Sequence, residues 1–221
     1  MISLKSFTFN AFAENTYVLF TNEGQAVVVD PGMSSRLEEQ EMLNFLEDTK
    51  LQLVGVVLTH AHIDHVLGCA FLVDRFKVPL TAHANAPQTL AMSVQAARMY
   101  GIAYDPSPEP TRIFGHGDVF HLGDDVLEVR FTPGHAPDHV VLIDHAGRKV
   151  IAGDVLFQGS VGRVDLPGGD ADTLAASIQQ QLYTLPEDYI VYCGHGGSTT
   201  IGAEMRSNPF VRPGYNGFAG R

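Results

Sequence analysis

Leu53-Val54-Gly55-Val56-Val57-Leu58-Thr59-His60-Ala61-His62-Ile63-Asp64-His65 joins an apolar run of strand length to four potential metal ligands within six residues. A packed core has little use for imidazole and carboxylate at that density, since each buried polar group needs its own partner. Zinc, iron and manganese do take such ligands. The stretch therefore predicts a metal site where a buried strand meets a loop.

Other apolar runs end the same way. Val27-Val28-Val29 stops at Asp30, Val129-Arg130-Phe131 at Thr132-Pro133-Gly134-His135, Val150-Ile151-Ala152 at Gly153-Asp154, and Ile190-Val191-Tyr192 at Cys193-Gly194-His195. In layered α/β folds such strand ends face a common edge, where ligands bind. Convergence on one site is the economical reading. Seven groups, His60, His62, Asp64, His65, His135, Asp154 and His195, exceed the needs of one tetrahedral ion. Two divalent ions are implied: His60 and His62 with His135 for the first, Asp64 and His65 with His195 for the second, and Asp154 as the bridge. Each ion would keep room for water, unlike a closed structural zinc site. Water so held has its pKa lowered from 15.7 to about 7, which supplies a bridging hydroxide nucleophile without Ser or Cys. Asp30 is expected to orient a ligand or the loop rather than to bind metal, because carboxylates commonly receive the second N–H of a ligating histidine.

The bulk properties narrow the partners. A formal charge of −11 and a pI near 5.2, with 14 Lys and Arg over 221 residues, argue against a polyanion such as nucleic acid. Bound divalent cations would offset part of that excess locally. Cys69 and Cys193 stand in unrelated contexts and read as small buried apolar residues with no disulfide framework. The start, Met1-Ile2-Ser3-Leu4-Lys5, has no signal-peptide pattern, and no apolar run reaches membrane-spanning length. A cytoplasmic protein of one domain over residues 1–221 is expected, monomeric or a small homo-oligomer, with a small-molecule substrate and no membrane partner.

The pattern predicts strands at 2–9, 17–20 and 25–29, an amphipathic helix at 35–48 begun by Ser34 or Ser35, and strand 53–58. A helix from Val66 to about Phe76, a strand at 80–82 and a helix at 86–100 follow. The prolines of Tyr104-Asp105-Pro106-Ser107-Pro108-Glu109-Pro110 make a surface loop, because they remove donors and fix φ. Strands at 126–131, 139–143 and 149–152, a helix at 172–183, a strand at 189–193 and a helix near 200–206 complete the chain.

Taken together, Thr-His-Ala-His-Ile-Asp-His at 59–65, Thr-Pro-Gly-His at 132–135, Gly-Asp at 153–154 and Gly-His at 194–195 resemble the metallo-β-lactamase superfamily in order and spacing. Glu14-Asn15-Thr16-Tyr17, Asp30-Pro31-Gly32, the loop 159–169 and the tail segment 194–202 look like the short bacterial glyoxalase II-like hydrolases. The resemblance implies an α/β fold, a four-layer αββα sandwich with both metals at one edge. It also implies zinc as the leading metal, with iron or manganese as alternatives, and hydroxyacylglutathione hydrolysis in methylglyoxal detoxification. β-Lactamases of the superfamily lack the bridging carboxylate at the position of Asp154, which disfavours that activity. The long glyoxalase II form adds a helical domain with basic contacts to glutathione. Residues up to Arg221 leave no room for it, so glutathione is gripped less elaborately or the natural thioester differs.

Thioester chemistry suits this inventory, since a thiolate of pKa roughly 8 to 9 leaves without a strong general acid. Asp64 is the candidate to accept a proton from the attacking water. Arg163 is the candidate contact for a substrate carboxylate, with an internal pair to Asp165 as its competitor. Loop 159–169 is a weaker substrate candidate, and so is Tyr215. His139 is expected to pack behind the ligands, and His83, His116, His121 and His145 to lie on the surface or in loops. Two rival functions remain: a persulfide dioxygenase with one iron held by the His60 neighbourhood, His135 and Asp154, and a non-catalytic metal-binding scaffold. The tail 194–202 favours the hydrolase over the first, and the complete ligand set speaks against the second.

Overall fold

A computed structural model describes residues 1–214, so Tyr215 lies outside the described residues. The chain runs β1 (Ser3–Phe9), β2 (Glu14–Phe20), β3 (Gln25–Val29), α1 (Arg36–Asp48), β4 (Gln52–Val57), α2 (Ile63–Val66), α3 (Cys69–Phe76), β5 (Leu80–His83), α4 (Ala86–Tyr100) and β6 (Arg112–Phe114). Then come β7 (Val119–Leu122), β8 (Asp125–Phe131), β9 (Val140–Asp144), β10 (Lys149–Gly153), β11 (Leu156–Phe157), β12 (Ser160–Val161), α5 (Ala171–Ser177), β13 (Ile190–Cys193), β14 (Thr199–Thr200) and α6 (Ile201–Ser207). The first six strands form one sheet in sequence order. A second sheet has the order β14-β13-β10-β9-β8-β7, and β11 and β12 pair by themselves.

Alternation along the strands explains four layers. Val27 and Val29 of β3 point between the sheets, where they meet Leu127, Val129, Val140 and Leu142. Ala26 and Val28 point the other way, into a core shared with Met42 and Leu46 of α1 and Leu72 of α3. In the second sheet Val141 and Ile143 of β9 pack on Leu174 and Ala175 of α5. A strand covered on both faces needs apolar residues at every position, hence the unbroken runs Val27-Val28-Val29 and Val140-Val141-Leu142-Ile143.

Direction then places the site. β3, β4, β5 and β6 are mutually parallel. In the other sheet β10 is parallel to β13 and antiparallel to β9, which is antiparallel to β8, so β8, β10 and β13 share one direction. The C-terminal ends that carry Asp30, the histidine stretch, His135, Asp154 and His195 therefore leave their sheets on one side each.

Several expectations change in detail. The helix expected from Val66 is two pieces, α2 and α3, separated at Gly68. Its N–H donates to the Pro31 carbonyl at 2.8 Å, and a Cβ there would come within 2.6 Å of Met33 Cε, so the loop after Asp30 needs the gap. The helix expected over 172–183 ends as α5 at Ser177 and continues as a wider π turn, Ile178–Leu182. That turn keeps Ile178 and Leu182 both buried. Strands β6, β7, β11, β12 and β14 were not expected. Each has four residues or fewer, too short for a periodic signal. The proline segment 104–110 is irregular, as expected.

Candidate metal centre

The histidine stretch is not a uniform loop. Beyond β4 the chain bends at Thr59 and is again extended at His62, whose φ and ψ are −65° and 153°, before it turns directly into α2. Asp64 and His65 thus lie in a helical turn, whereas His60 and His62 precede it. The change of backbone divides the groups between two clusters.

The first cluster is His60, His62 and His135, and the second is Asp64, His65 and His195, with the ligand atoms of each lying within 4.8 Å of one another. In the first, His62 Nδ1 and His135 Nε2 are 2.9 Å apart. In the second, Asp64 Oδ2 lies 3.1 Å from His195 Nε2 and 3.6 Å from His65 Nε2. Asp154 stands between them. Its Oδ2 is 3.6 Å from His135 Nε2 and 3.5 Å from His195 Nε2, and its Oδ1 is 3.5 Å from His65 Nε2. Bonds of 2.0–2.1 Å to a tetrahedral ion set ligand atoms about 3.3 Å apart, a spacing these distances bracket. Three buried atoms, His60 Nε2, His65 Nε2 and Asp154 Oδ1, have no hydrogen-bond partner. Orphaned lone pairs converging on one place fit a cation, which would relieve their desolvation cost.

Outer partners hold the His60, His65, His135 and His195 rings by Nδ1 and leave Nε2 to face inward. His135 Nδ1 donates to the Arg163 carbonyl at 2.7 Å, His195 Nδ1 to the Phe12 carbonyl at 3.1 Å and His65 Nδ1 to Asp30 Oδ2 at 3.2 Å. His60 Nδ1 lies 3.1 Å from Thr59 Oγ1. Asp30 also accepts the Thr59 N–H at 2.7 Å and the Thr59 hydroxyl at 2.5 Å, so both its oxygens are engaged. Asp30, His60 and His65 also cluster closely enough to hold an ion, but those bonds make Asp30 the orienting group. His139 is buried, and its Nε2 accepts the Asp154 N–H at 3.0 Å. It supports the bridging position directly.

Some contributors carried no role in the sequence reading. Glu14 is fully buried, its Oε1 3.8 Å from His65 Nδ1, and burial pushes its carboxyl well up. A carboxylate opening a strand that turns apolar from Tyr17 onward was the available signal. Asn15 Nδ2 donates to the carbonyls of Cys193 and Gly196 at 3.0 and 2.9 Å, and the Tyr17 hydroxyl to Cys193 at 2.6 Å. The first hairpin thereby fixes the end of β13, and with it His195.

Electrostatics separates the clusters. Burial pushes the His60, His62 and His135 imidazoles down, His62 to about 3, with neighbouring histidines adding to the shift at His60 and His62. Neutral imidazole is the form that ligates. In the second cluster burial opposes ionisation, yet His65 and His195 hold the Asp64 and Asp154 carboxyls low. Against the same burial, the two carboxylates hold His65 up and raise His195 to about 10.

The centre opens into a cavity of about 750 Å³ that reaches α4 and loop 159–169. Arg163 is on its wall, but its Nε and Nη2 hold Asp165 Oδ1 and Oδ2 at 2.7 Å each. Of the two partners weighed for Arg163, the internal pair with Asp165 is formed, with both side chains more than half exposed. His116, His121 and His145 are exposed, as expected, though His121 sits in β7. His83 is half-buried and stacks on Phe131 with ring centroids 4.3 Å apart. Cys69 and Cys193 are buried and unpaired.

The family model for the metallo-β-lactamase superfamily matches residues 10–195. A hydroxyacylglutathione hydrolase, GloC of Haemophilus influenzae, is 36% identical over 203 residues, 91% of this chain and 94% of the relative. Among solved structures, TTHA1623 in a di-iron-bound form superposes with a TM-score of 0.84 at 38% identity, covering 93% of this chain and 98% of that one. BLEG-1, a B3 metallo-β-lactamase, superposes with a TM-score of 0.86 at 33% identity, covering 94% and 98%.

Proposed function

Because the chain belongs to the metallo-β-lactamase superfamily of metal-dependent hydrolases, we propose that it hydrolyses a thioester to a carboxylic acid and a thiol, S-lactoylglutathione being the form that the name of its GloC relative points to. The observation that carries this reading is Asp154, whose Oδ2 lies within 3.6 Å of one histidine from each cluster. His60, His62 and His135 would hold one divalent ion, Asp64, His65 and His195 a second, with Asp154 shared and zinc the leading metal. Such a pair supplies a water of lowered pKa and an electrophile for the carbonyl oxygen.

The protein's own groups do the rest. The Asp64 carboxyl, kept ionised by His65 and His195, faces the cavity and is placed to accept a proton as water adds to the acyl carbon. The C–S bond then breaks, and the departing thiolate takes up that proton from Asp64 or from solvent. No buried acid is required of the protein, because a thiol leaves well as its anion. His139 and Asp30 keep Asp154 and His65 in position through the bonds described above.

The test is thiol release from S-lactoylglutathione by protein of measured metal content, alongside oxygen consumption with glutathione persulfide and turnover of a chromogenic β-lactam. Two ions per chain with thiol release supports the proposal. Oxygen uptake with one iron per chain would favour the dioxygenase, and β-lactam turnover alone would move the activity to that of the BLEG-1 neighbour. Full thiol release after complete metal removal would sink the scheme.

A further inference from the structure

Beyond the metal ligands, the walls of the 750 Å³ cavity are largely apolar: α4 contributes Met92, Ala96, Met99 and Tyr100, the turn between β1 and β2 contributes Phe12, and β11 contributes Phe157. Three of these carry unusually open apolar surface. Met99 is 74% exposed, Tyr100 50% and Phe12 40%. Phe12 and Tyr100 meet edge to face with centroids 5.9 Å apart, closing one side of the rim. Apolar surface gathered at the mouth of a reactive site is stabilised when a ligand covers it.

Charge argues against the obvious ligand. Among the described residues lining the cavity Arg163 is the sole Lys or Arg, and its fork is bound to Asp165. A glutathione thioester brings two carboxylates and an ammonium, and carboxylates laid against methionine and aromatic walls lose hydration with only Arg163 to meet them, once its exposed pair with Asp165 has opened. Resting on the thioester hydrolase reading above, we propose that the substrate is a thioester whose acyl group is a medium-length alkyl or aryl chain and whose thiol part is uncharged, with the chain lying along α4 and the Phe12–Tyr100 rim. Water adds to the acyl carbon, the C–S bond breaks, and the products are an apolar carboxylic acid and a free thiol.

The experiment uses metal-loaded full-length protein and S-acyl-N-acetylcysteamines from butanoyl to octanoyl, with S-phenylacetyl-N-acetylcysteamine and S-lactoylglutathione beside them. Each buried methylene is expected to raise kcat/KM about fourfold, so the octanoyl thioester exceeds S-lactoylglutathione by at least tenfold. Binding of uncleavable S-alkyl thioethers gives a second readout and is expected to tighten with the same slope. Met99→Lys changes a side chain that is mostly in solvent and is expected to lower the octanoyl-to-lactoylglutathione ratio severalfold. A flat series in both readouts, or S-lactoylglutathione as the best substrate, overturns the apolar assignment and leaves the hydrolase reading standing. No cleavage of any thioester, with the thioether slope retained, overturns the hydrolase reading and the thioester assignment with it.

Discussion

Asp30→Asn keeps the size of the side chain and removes its charge. Oδ1 can still accept the Thr59 N–H, 2.7 Å away, so one anchor of the loop survives. The other atom becomes an amide NH2 where Oδ2 accepted from the Thr59 hydroxyl at 2.5 Å and from His65 Nδ1 at 3.2 Å. A donor now faces a donor at His65, and the strain is relieved by moving the ring proton to Nε2, the atom turned toward Asp64 and Asp154. Thr59 must also reverse its hydroxyl toward His60 Nδ1, 3.1 Å away, which favours the proton on His60 Nε2. Both changes place a proton where a lone pair is needed. Loss of such an orienting group costs roughly 10–100-fold in metal affinity, about 1.4–2.8 kcal/mol. Two charge-assisted hydrogen bonds worth roughly 1.5–3 kcal/mol each are lost and one neutral bond of about 1 kcal/mol is recovered, which lowers the stability of the metal-free protein by about 2–5 kcal/mol. Titration with zinc against a competing chelator measures the first quantity and urea unfolding the second. Activity should fall at limiting metal and recover in excess. An Asn variant that binds two ions with wild-type affinity would refute the account of how Asp30 acts.

Asp154→Ala and His62→Ala should each abolish thioester hydrolysis with an unchanged circular dichroism spectrum, and a chelator should do the same reversibly; residual turnover above 1% of wild type, as an order of magnitude, counts against a two-ion centre. Gly194→Ala would set a methyl 2.0 Å from Asp154 Oδ1 and 2.9 Å from His65 Cε1, so metal content should drop toward one ion per chain by elemental analysis. Asp138 is buried on the Thr89 hydroxyl and its carboxyl is raised by that burial to about 6 from 3.8, so its contribution to stability is full below the unfolded value and is lost as pH rises through 6. Asp138→Asn should therefore gain up to about 3 kcal/mol relative to wild type between pH 4 and pH 7 in denaturant titrations of the metal-free protein, and a pH-independent difference would contradict the buried acid. Arg163→Ala removes a guanidinium already committed to Asp165. Its kcat/KM for an apolar thioester should stay within about threefold of wild type, a difference of about 0.6 kcal/mol.

Much of the fold was legible because both sheets are covered on both faces. Val27-Val28-Val29 and Val140-Val141-Leu142-Ile143 stand out as continuous apolar runs, and their ends mark where His and Asp begin. Short edge pieces such as β6 and β14 were not legible, since three or two residues carry no period. The break at Gly68 depended on a contact with Met33, thirty-five positions earlier, that no local pattern records. For Arg163 the sequence left two partners open, a substrate carboxylate or Asp165, and the fold of the loop is what brings Asp165 to the guanidinium.

The sequence by itself pointed to the candidate ligand types and their strand-end positions, because residue identity and local chain direction follow from nearby residues, while the grouping of His135 with His60 and His62 and of His195 with Asp64 and His65 is seen in the fold. Only the tertiary structure decided which nitrogen each ring presents, that Asp154 stands within reach of both groups, that His139 and Glu14 lie behind them, and that the cavity beyond is apolar with its one arginine already paired. Those features are distances between segments far apart in the chain, fixed by the packing of two sheets, and no single stretch of residues contains them.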